Sequence, residues 1–297
     1  MSNKLRKMTL EKKHNLTGWA FLAPATFLIA VFSFWPMIKA LVLSFQTGKG
    51  RNMQMAGFTN YIRMFQDDVF LQSIKNTFFY FILQVPIMLV VALVLACILN
   101  KKDLRFKGFF RTMIFLPCTT SLVAYAIIFR SLFANDGLVN YVLVNLGILD
   151  KPYNFLTQPF AAKMVILLGL LWRWTGYNMV FFLSGLQNIE YSVYEAAKID
   201  GASAIQTFFK ITVPLLKPTI LLTAIMSTNG TLQLFDESIN LTDGGPANAS
   251  ISMSHYIYNL CFKYVPNFGY AAAMSFFILL LVAVLAFIQM RVGDKRD

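Results

Sequence analysis

Six long runs of apolar residues, separated by shorter polar segments, dominate the pattern of this 297-residue chain. A run of about 20 apolar residues is long enough to cross a bilayer as a helix. The pattern therefore predicts an all-α polytopic membrane protein with six transmembrane helices, forming a single domain over residues 1–297. The predicted spans cover residues 17–45, 76–99, 109–133, 161–186, 211–235 and 270–290.

The composition agrees with a membrane protein. Hydrophobic residues make up 57% of the chain and charged residues only 13%, with a mean hydropathy of +0.58, whereas soluble domains are about 45–50% apolar and about 25% charged. The net charge of +12 would suggest nucleic acid or an anionic surface in a soluble protein. Here it is better explained by Lys and Arg in cytoplasmic loops. We therefore expect a lipid bilayer, and no nucleic acid, as partner.

The distribution of basic residues predicts the orientation of the spans. Sixteen Lys and Arg lie in the N-terminus, the 100–111 loop, the 187–217 region and the C-terminal tail, against seven in the other loops. The positive-inside rule then places both termini in the cytoplasm, which requires an even number of spans. The first apolar run is longer than the apolar core of about 7–15 residues in a secretory signal. We expect it to be a retained span.

The chain has no sequence signature of an enzyme. A P-loop motif, a nucleophile elbow, a zinc-protease motif and a membrane-embedded carboxylate pair are all missing from the sequence. Cys97, Cys118 and Cys261 are far apart in the sequence, and the chain contains only two histidines. This pattern predicts neither a metal site nor a disulfide framework. We expect no catalytic residue and no cofactor in this chain, so the energy for active transport would come from a separate subunit.

A polar, alanine-rich segment lies between the fourth and fifth predicted spans. It contains Glu195-Ala196-Ala197, then Gly201 after three further residues, and later Val213-Pro214. Alanine favours a helix and glycine breaks it, so two short helices joined at Gly201 are expected on the membrane surface. The segment resembles the EAA loop of bacterial ABC-importer permeases.

That resemblance implies a cytoplasmic coupling loop over residues 187–209, which docks into a groove of an ATPase subunit. In this interpretation the small residues permit a close fit and the polar ones orient the loop. The expected ATPase-coupling residues are Glu195, Ala196, Ala197, Asp200 and Gly201.

Two further segments resemble the carbohydrate branch of these permeases. Gly57-Phe58-Thr59-Asn60-Tyr61 fits its Gly-Xaa-Xaa-Asn-Tyr pattern, and the segment 241–246 fits its Leu-Thr-Xaa-Gly-Gly-Pro pattern. By itself, Gly-Gly-Pro indicates only a rigid turn. Together with the loop described above, these segments imply a subunit of an ATP-driven sugar importer in a bacterial plasma membrane.

Arg173 lies at membrane depth in the fourth predicted span, between two tryptophans and near Tyr177. Ionisable groups at this depth are costly and are functional candidates. The residues alone leave two interpretations open: a wall that stacks on sugar faces, or an interfacial aromatic segment whose arginine extends to water. In the maltose branch of the family, the positions that match Arg173, Trp174 and Tyr177 face the sugar. Only the tyrosine is the same residue type here, so the resemblance implies a cavity-lining role for these positions but does not imply the same substrate.

A polar stripe runs through the fifth predicted span. Ser227 and Thr231 are four residues apart and therefore share one helical face. Such groups either bond to neighbouring helices, at about 0.6 kcal/mol per contact, or line a wet cavity, and their number in one span favours the cavity. In the maltose branch the positions that match Ser227 and Thr231 also contact sugar. Asn229 and Gln233 are further candidates on other faces of the helix.

The resemblance implies a set of partners. These are a second permease subunit of different sequence, two ATPase subunits that bind ATP and Mg²⁺, a periplasmic or extracellular sugar-binding protein, and the sugar itself. The competing hypothesis is an ATP-independent carrier or channel, which predicts an internal repeat or buried proton-relay carboxylates. The sequence has neither pattern. It leaves the identity of the sugar open.

Overall fold

The structure is a computed structural model that describes residues 10–49, 52–101 and 103–293. Most of the N-terminal basic residues, Lys295 and Arg296 lie outside these ranges. The helices in chain order are α1 (Leu10–Ile29), α2 (Trp35–Ser44), α3 (Thr59–Met64), α4 (Asp68–Asn100), α5 (Lys107–Thr119), α6 (Leu122–Leu132), α7 (Leu138–Asn145), α8 (Pro159–Gln187), α9 (Tyr191–Ile199), α10 (Ala204–Thr207), α11 (Val213–Leu215), α12 (Lys217–Leu232), α13 (Met253–Tyr258) and α14 (Phe268–Gly293). Single π-helical turns occupy Ala30–Phe34, Phe208–Thr212, Ser238–Thr242 and Asn259–Lys263.

A small antiparallel hairpin corrects the prediction of an all-α chain. Strands β1 (Gln46–Lys49) and β2 (Asn52–Met55) pair with Gln46 opposite Met55. The Asn60 amide donates to the carbonyls of Ser44 and Gln46 at 2.9 and 2.8 Å, and so ties the hairpin to the end of α2. These residues belong to the predicted loop between the first two spans. The fold is therefore mostly helical with one small sheet.

Four stretches are long and apolar enough to cross a membrane. They are His14–Ser44, Asp68–Asn100, Pro159–Gln187 and Phe268–Gly293. Two further stretches qualify only as bent pairs, with 99° between α5 and α6 and 70° between Ala204–Leu215 and Lys217–Leu232. The described residues thus contain four such helices, or six spans if each bent pair crosses once. The bent pairs fall on the third and fifth predicted spans.

Local capping explains where two elements differ from the predicted bounds. Helix α4 begins at Asp68 rather than near residue 76, because the Asp67 carboxylate accepts from the amides of Val69 and Phe70 at 3.0 and 3.1 Å. The sequence predicts that Pro117 breaks the third span, but the break lies at Thr120 and Ser121, between α5 and α6. Pro117 lies in the last turn of α5, and the chain leaves the helix three residues later.

Helices α4 and α8 form the centre of the bundle. Ala92 and Ala96 of α4 pack against Met179 and Phe182 of α8, and all four are fully buried. Helix α14 packs on α2, α3 and α12, and its Tyr270 is fully buried. By contrast, every side chain in 14–39 is exposed in this chain. These packed helices position the polar face of α12 against α4 and α8.

Asp67 connects three elements at one end of the bundle. Its second carboxylate oxygen accepts from the hydroxyls of Tyr256 at 2.7 Å and Tyr270 at 2.8 Å, while the first oxygen caps α4. Burial, followed by the hydrogen bond to Asp67, raises the pKa of Tyr256, so this hydroxyl stays protonated and donates. One side chain therefore joins α4, α13 and α14.

Replacing Asp67 with alanine should lower the melting temperature of the detergent-purified protein by about 4–8 °C. The substitution removes a cap and two charge-assisted bonds, which together contribute about 2 kcal/mol. Asp68→Ala is the matched control, because Asp68 is exposed and lies one residue further along. Equal melting temperatures for the two variants would contradict the role assigned to Asp67.

Candidate substrate cavity and surface knob

A cavity of about 300 Å³ lies between α4, α8 and α12 and extends to the segment after α12. Helix α8 contributes Trp174, Tyr177 and Asn178, and α12 contributes Ser227 and Thr231. The other lining residues are Gln84, Met88, Leu122, Leu170, Met226, Gly230, Gln233, Leu234, Phe235, Asp236 and Glu237. Two of the sequence patterns, the aromatic segment and the polar stripe, therefore meet on one cavity.

Hydrogen bonds fix the polar wall of this cavity. The Thr231 hydroxyl donates to the Gln84 side-chain oxygen on α4. The Ser227 hydroxyl donates to the Asn178 side-chain oxygen at 3.3 Å, and the Asn178 amide donates to the Trp174 carbonyl at 3.1 Å. The wall thus presents hydroxyl and amide groups whose orientations are set by three helices.

Aromatic rings form the adjoining wall. Trp174 and Tyr177 meet edge to face, with ring centroids 5.8 Å apart and an interplanar angle of 88°. The same cavity is lined by Glu237, a residue with only 4% of its surface exposed. Aromatic rings beside hydroxyl, amide and carboxylate groups can stack on a polyhydroxylated ring and bond to its hydroxyls.

Arg173 points away from this cavity. Its guanidinium donates to the Thr120 carbonyl at 2.9 Å and to the Cys118 carbonyl at 3.5 Å, across the break between α5 and α6. The group also lies 5.7 Å from the centre of the Tyr125 ring. Arg173 is 6% exposed and is not among the residues that line the cavity. Its contact with sugar stays a prediction, and in this conformation it satisfies carbonyls left free where the helix breaks.

The remaining candidates on α12 lie toward α14. Asn229 lines a second cavity, of about 530 Å³, together with Ser254 and Ser275. Gln233 borders both cavities, and its amide donates to the Asn229 side-chain oxygen. The structure therefore brings Trp174, Tyr177, Ser227, Thr231 and Gln233 to one cavity and places Arg173 and Asn229 outside its lining.

The alanine-rich segment forms a compact surface knob, which we define as α9 and α10. The amide of Ala202 donates to the carbonyl of Ala197 at 2.9 Å and that of Gly201 to Lys198 at 3.2 Å, a Schellman stop. It requires the left-handed backbone of Gly201, whose φ is 75°. Ser203 then starts α10 through a capping box with Gln206. The predicted two helices joined at Gly201 are therefore present.

The knob presents an apolar surface. Glu195, Ala196, Asp200 and Gly201 are exposed, whereas Ala197 faces inward. Two isoleucines that the sequence patterns did not single out, Ile199 and Ile205, are 85% and 71% exposed. Behind the knob, a cavity of about 700 Å³ separates it from the ends of α4 and α8. The knob therefore offers apolar area that this chain leaves uncovered.

Sequence reasoning also missed Gln84, Asn178 and Glu237 as cavity residues. Gln84 and Asn178 are polar residues inside long apolar helices and are nearly fully buried, which is a usable signal for a polar cavity. Glu237 directly follows the polar stripe of the fifth span. Glu237 reaches the cavity because of the way the chain turns after α12. The polar stripe by itself does not predict that turn.

A family model matches residues 67–296 of this chain, and its members are described as the inner membrane component of binding-protein-dependent transport systems. The chain belongs to this family. It is 51% identical over 292 residues to the lactose transport system permease protein of Rhizobium radiobacter, covering 98% of each chain. The expected carbohydrate-permease family is thereby confirmed.

Two solved structures have the same fold. The first is a bacterial ABC transporter involved in the import of the acidic polysaccharide alginate, with a TM-score of 0.85 at 24% identity over 97% of this chain and 98% of that chain. The second is a bacterial alginate ABC transporter in complex with an alginate pentasaccharide-bound periplasmic protein. Its TM-score is 0.83 at 25% identity, with 96% of each chain covered.

Family membership settles the general role. The chain is a membrane permease component of a binding-protein-dependent transport system and is not an enzyme; the ATPase of such a system is a separate subunit. The expected bacterial membrane location agrees with the inner-membrane description of the family.

Proposed function

We propose that this chain is one of two permease subunits of an ATP-driven sugar importer and forms half of the translocation pathway. In this proposal residues 1–297 make one permease domain with six spans and both termini in the cytoplasm, each bent helix pair crossing once. A second permease of different sequence would supply the other half. Two ATPase subunits would bind ATP and Mg²⁺, and a binding protein would deliver the sugar.

The lining of the cavity is the observation that carries the proposal. Rings at Trp174 and Tyr177 and hydroxyls at Ser227 and Thr231 line the same cavity of about 300 Å³. A sugar has apolar ring faces and a rim of hydroxyls, so it needs both kinds of group. The name of the relative at 51% identity, a lactose permease, supports a disaccharide or a short oligosaccharide.

The surface knob supplies the coupling to ATP in this proposal. Helix α8 joins the cavity to the knob directly, with ten residues, or about 15 Å of helix, between Tyr177 and its end at Gln187. The ATPase would cover the exposed faces of α9 and α10, as a groove covers an amphipathic helix. Glu195 and Asp200 would make polar contacts at the rim, and Ala196 and Gly201 would permit close approach. Closure of the ATPases would then tilt α8 and change which side the cavity faces.

Co-purification tests this proposal. The tagged chain, extracted gently from its native membrane, should bring down an ATPase and a second permease. In liposomes the assembly should hydrolyse ATP faster when the binding protein and lactose are added. Other neutral oligosaccharides then rank the substrate. A chain that purifies alone and moves sugar into vesicles without ATP would instead favour the carrier hypothesis.

A further inference from the structure

Acidic side chains lie together at one end of the cavity described above. Asp236 and Glu237 both line it, and Glu237 is 4% exposed. None of the described side chains that line this cavity is basic. A buried carboxylate in a ligand cavity needs a reason, because burying it is costly unless its hydrogen bonds are replaced.

Arg173 forms no ion pair with Glu237 among the described residues. It is a neighbour of Glu237 and lowers the carboxyl pKa from a distance. Its Nη1 and Nη2 atoms donate to the carbonyls of Thr120 and Cys118, whereas its buried Nε has no hydrogen-bond partner in the described part of the chain. The neutral Trp174 side chain lines the cavity together with Glu237. A ligand in the cavity therefore meets the carboxylate, while the arginine lies behind the wall.

We propose that Glu237 is a specificity-determining residue, which makes this cavity accept uncharged sugars and disfavour sugars that carry a carboxylate or another anion. The inference rests on the proposed function and adds the substrate class to it. Hydroxyl groups of a neutral sugar can donate to the carboxylate, whereas a uronate would place like charges together in a space shielded from water. Such a juxtaposition is strongly unfavourable.

The fold leaves room for this specialisation. A transporter of the same fold is involved in the import of the acidic polysaccharide alginate, so the architecture itself does not dictate the charge of the sugar. The charge of the lining residues is then the natural place for discrimination.

The test measures uptake of two sugars that differ by one charge. The probes are lactose and its derivative in which the galactose C6 hydroxymethyl group is oxidised to a carboxylate. The complete transporter, with its own binding protein, takes up each probe in liposomes as wild type and as Glu237→Gln. Because the binding protein is the same in both, its own preference cancels when the two neutral-to-acidic rate ratios are compared.

We expect Glu237→Gln to lower the ratio of the lactose uptake rate to the acidic-probe uptake rate by about tenfold. Asp136→Asn is the matched control, since Asp136 is an exposed acid outside the cavity, and it should leave the ratio unchanged. If Glu237→Gln fails to reach the membrane, Asp236→Asn neutralises the half-buried neighbour and should narrow the ratio in the same direction. A ratio that these cavity variants leave unchanged overturns the inference.

Measuring the same uptake-rate ratio over a range of pH separates a role in selectivity from a purely structural role, because a structural role would not make the ratio depend on pH. Burial raises the pKa of Glu237, a backbone hydrogen bond lowers it, Asp236 raises it, and Trp174 and Arg173 lower it, with the net shift upward. The other titratable neighbour is Tyr125. As the outside pH falls, Glu237 takes up a proton and the wild-type preference should weaken, while Glu237→Gln should keep a constant ratio. A wild-type ratio that stays constant with pH contradicts the inference.

The two possible failures are distinguishable. Wild-type transporter that moves neither probe nor any neutral oligosaccharide would overturn the proposed function, and the inference with it. Wild-type transporter that moves lactose with ATP, but whose selectivity Glu237→Gln does not change, overturns the inference alone.

Discussion

Replacing Ile199 with aspartate should abolish ATP-coupled sugar uptake while the protein still reaches the membrane at normal levels. Ile199 is 85% exposed on the surface knob, so the change removes almost no contact within this chain. In the assembly the same side chain would be covered by the ATPase, and an unpaired carboxylate would then be buried there. A disrupted interface anchor costs about 2 kcal/mol or more, so we expect co-purification of the ATPase to fall by about 30-fold.

The matched control carries the same substitution on another exposed isoleucine. Ile148 is 63% exposed and follows α7, in a predicted outer loop. Ile148→Asp should keep the ATPase in the purified sample. If Ile199→Asp retains the ATPase as well as Ile148→Asp does, the knob is not the docking surface, and the proposed coupling route through α9 is wrong.

The knob illustrates what the sequence could and could not predict. The two helices and their junction followed from alanine, Gly201 and their spacing, because these features depend on local backbone preferences. The exposure of Ile199 and Ile205 did not follow, since apolar residues near a membrane protein's loops are equally compatible with burial against the bundle. Only the packing of α9 against its neighbours decides which side chains are left uncovered.

The cavity shows the same division. Ser227 and Thr231 could be placed on one face from helical spacing alone, and both line the cavity. Arg173 could not be placed, because its direction depends on free carbonyls at the break after Thr120, a break that the sequence located near Pro117. Glu237 lies beyond the end of α12, where the periodicity no longer applies. The shared face of Ser227 and Thr231 was therefore predictable from helical spacing, whereas the positions of Arg173, beside a break, and Glu237, beyond a helix end, were not.

Gly176→Ala should strongly destabilise the contact between α5 and α8. A Cβ atom at Gly176 would lie 1.9 Å from the carbonyl oxygen and 2.7 Å from the carbonyl carbon of Ile114. Both are backbone atoms of α5, so no rotamer change can relieve the overlap, and α5 and α8 must move apart. Overpacking of this kind costs about 3 kcal/mol, which corresponds to a melting temperature about 10 °C lower for the purified protein.

Two other glycines make this prediction specific. Gly230 also lies within a long helix, but an added Cβ there meets no atom within 4 Å, so Gly230→Ala should melt at or slightly above the wild-type temperature, since alanine favours a helix. Gly169 is intermediate, because its added Cβ would meet the Tyr125 hydroxyl at 2.0 Å, the far end of a side chain that can rotate. The expected order of melting temperature is therefore Gly230→Ala, then Gly169→Ala, then Gly176→Ala. If Gly176→Ala and Gly230→Ala have the same melting temperature, α5 and α8 are not in backbone contact. The helix packing that holds Trp174 and Tyr177 toward the cavity would then differ from the one described here.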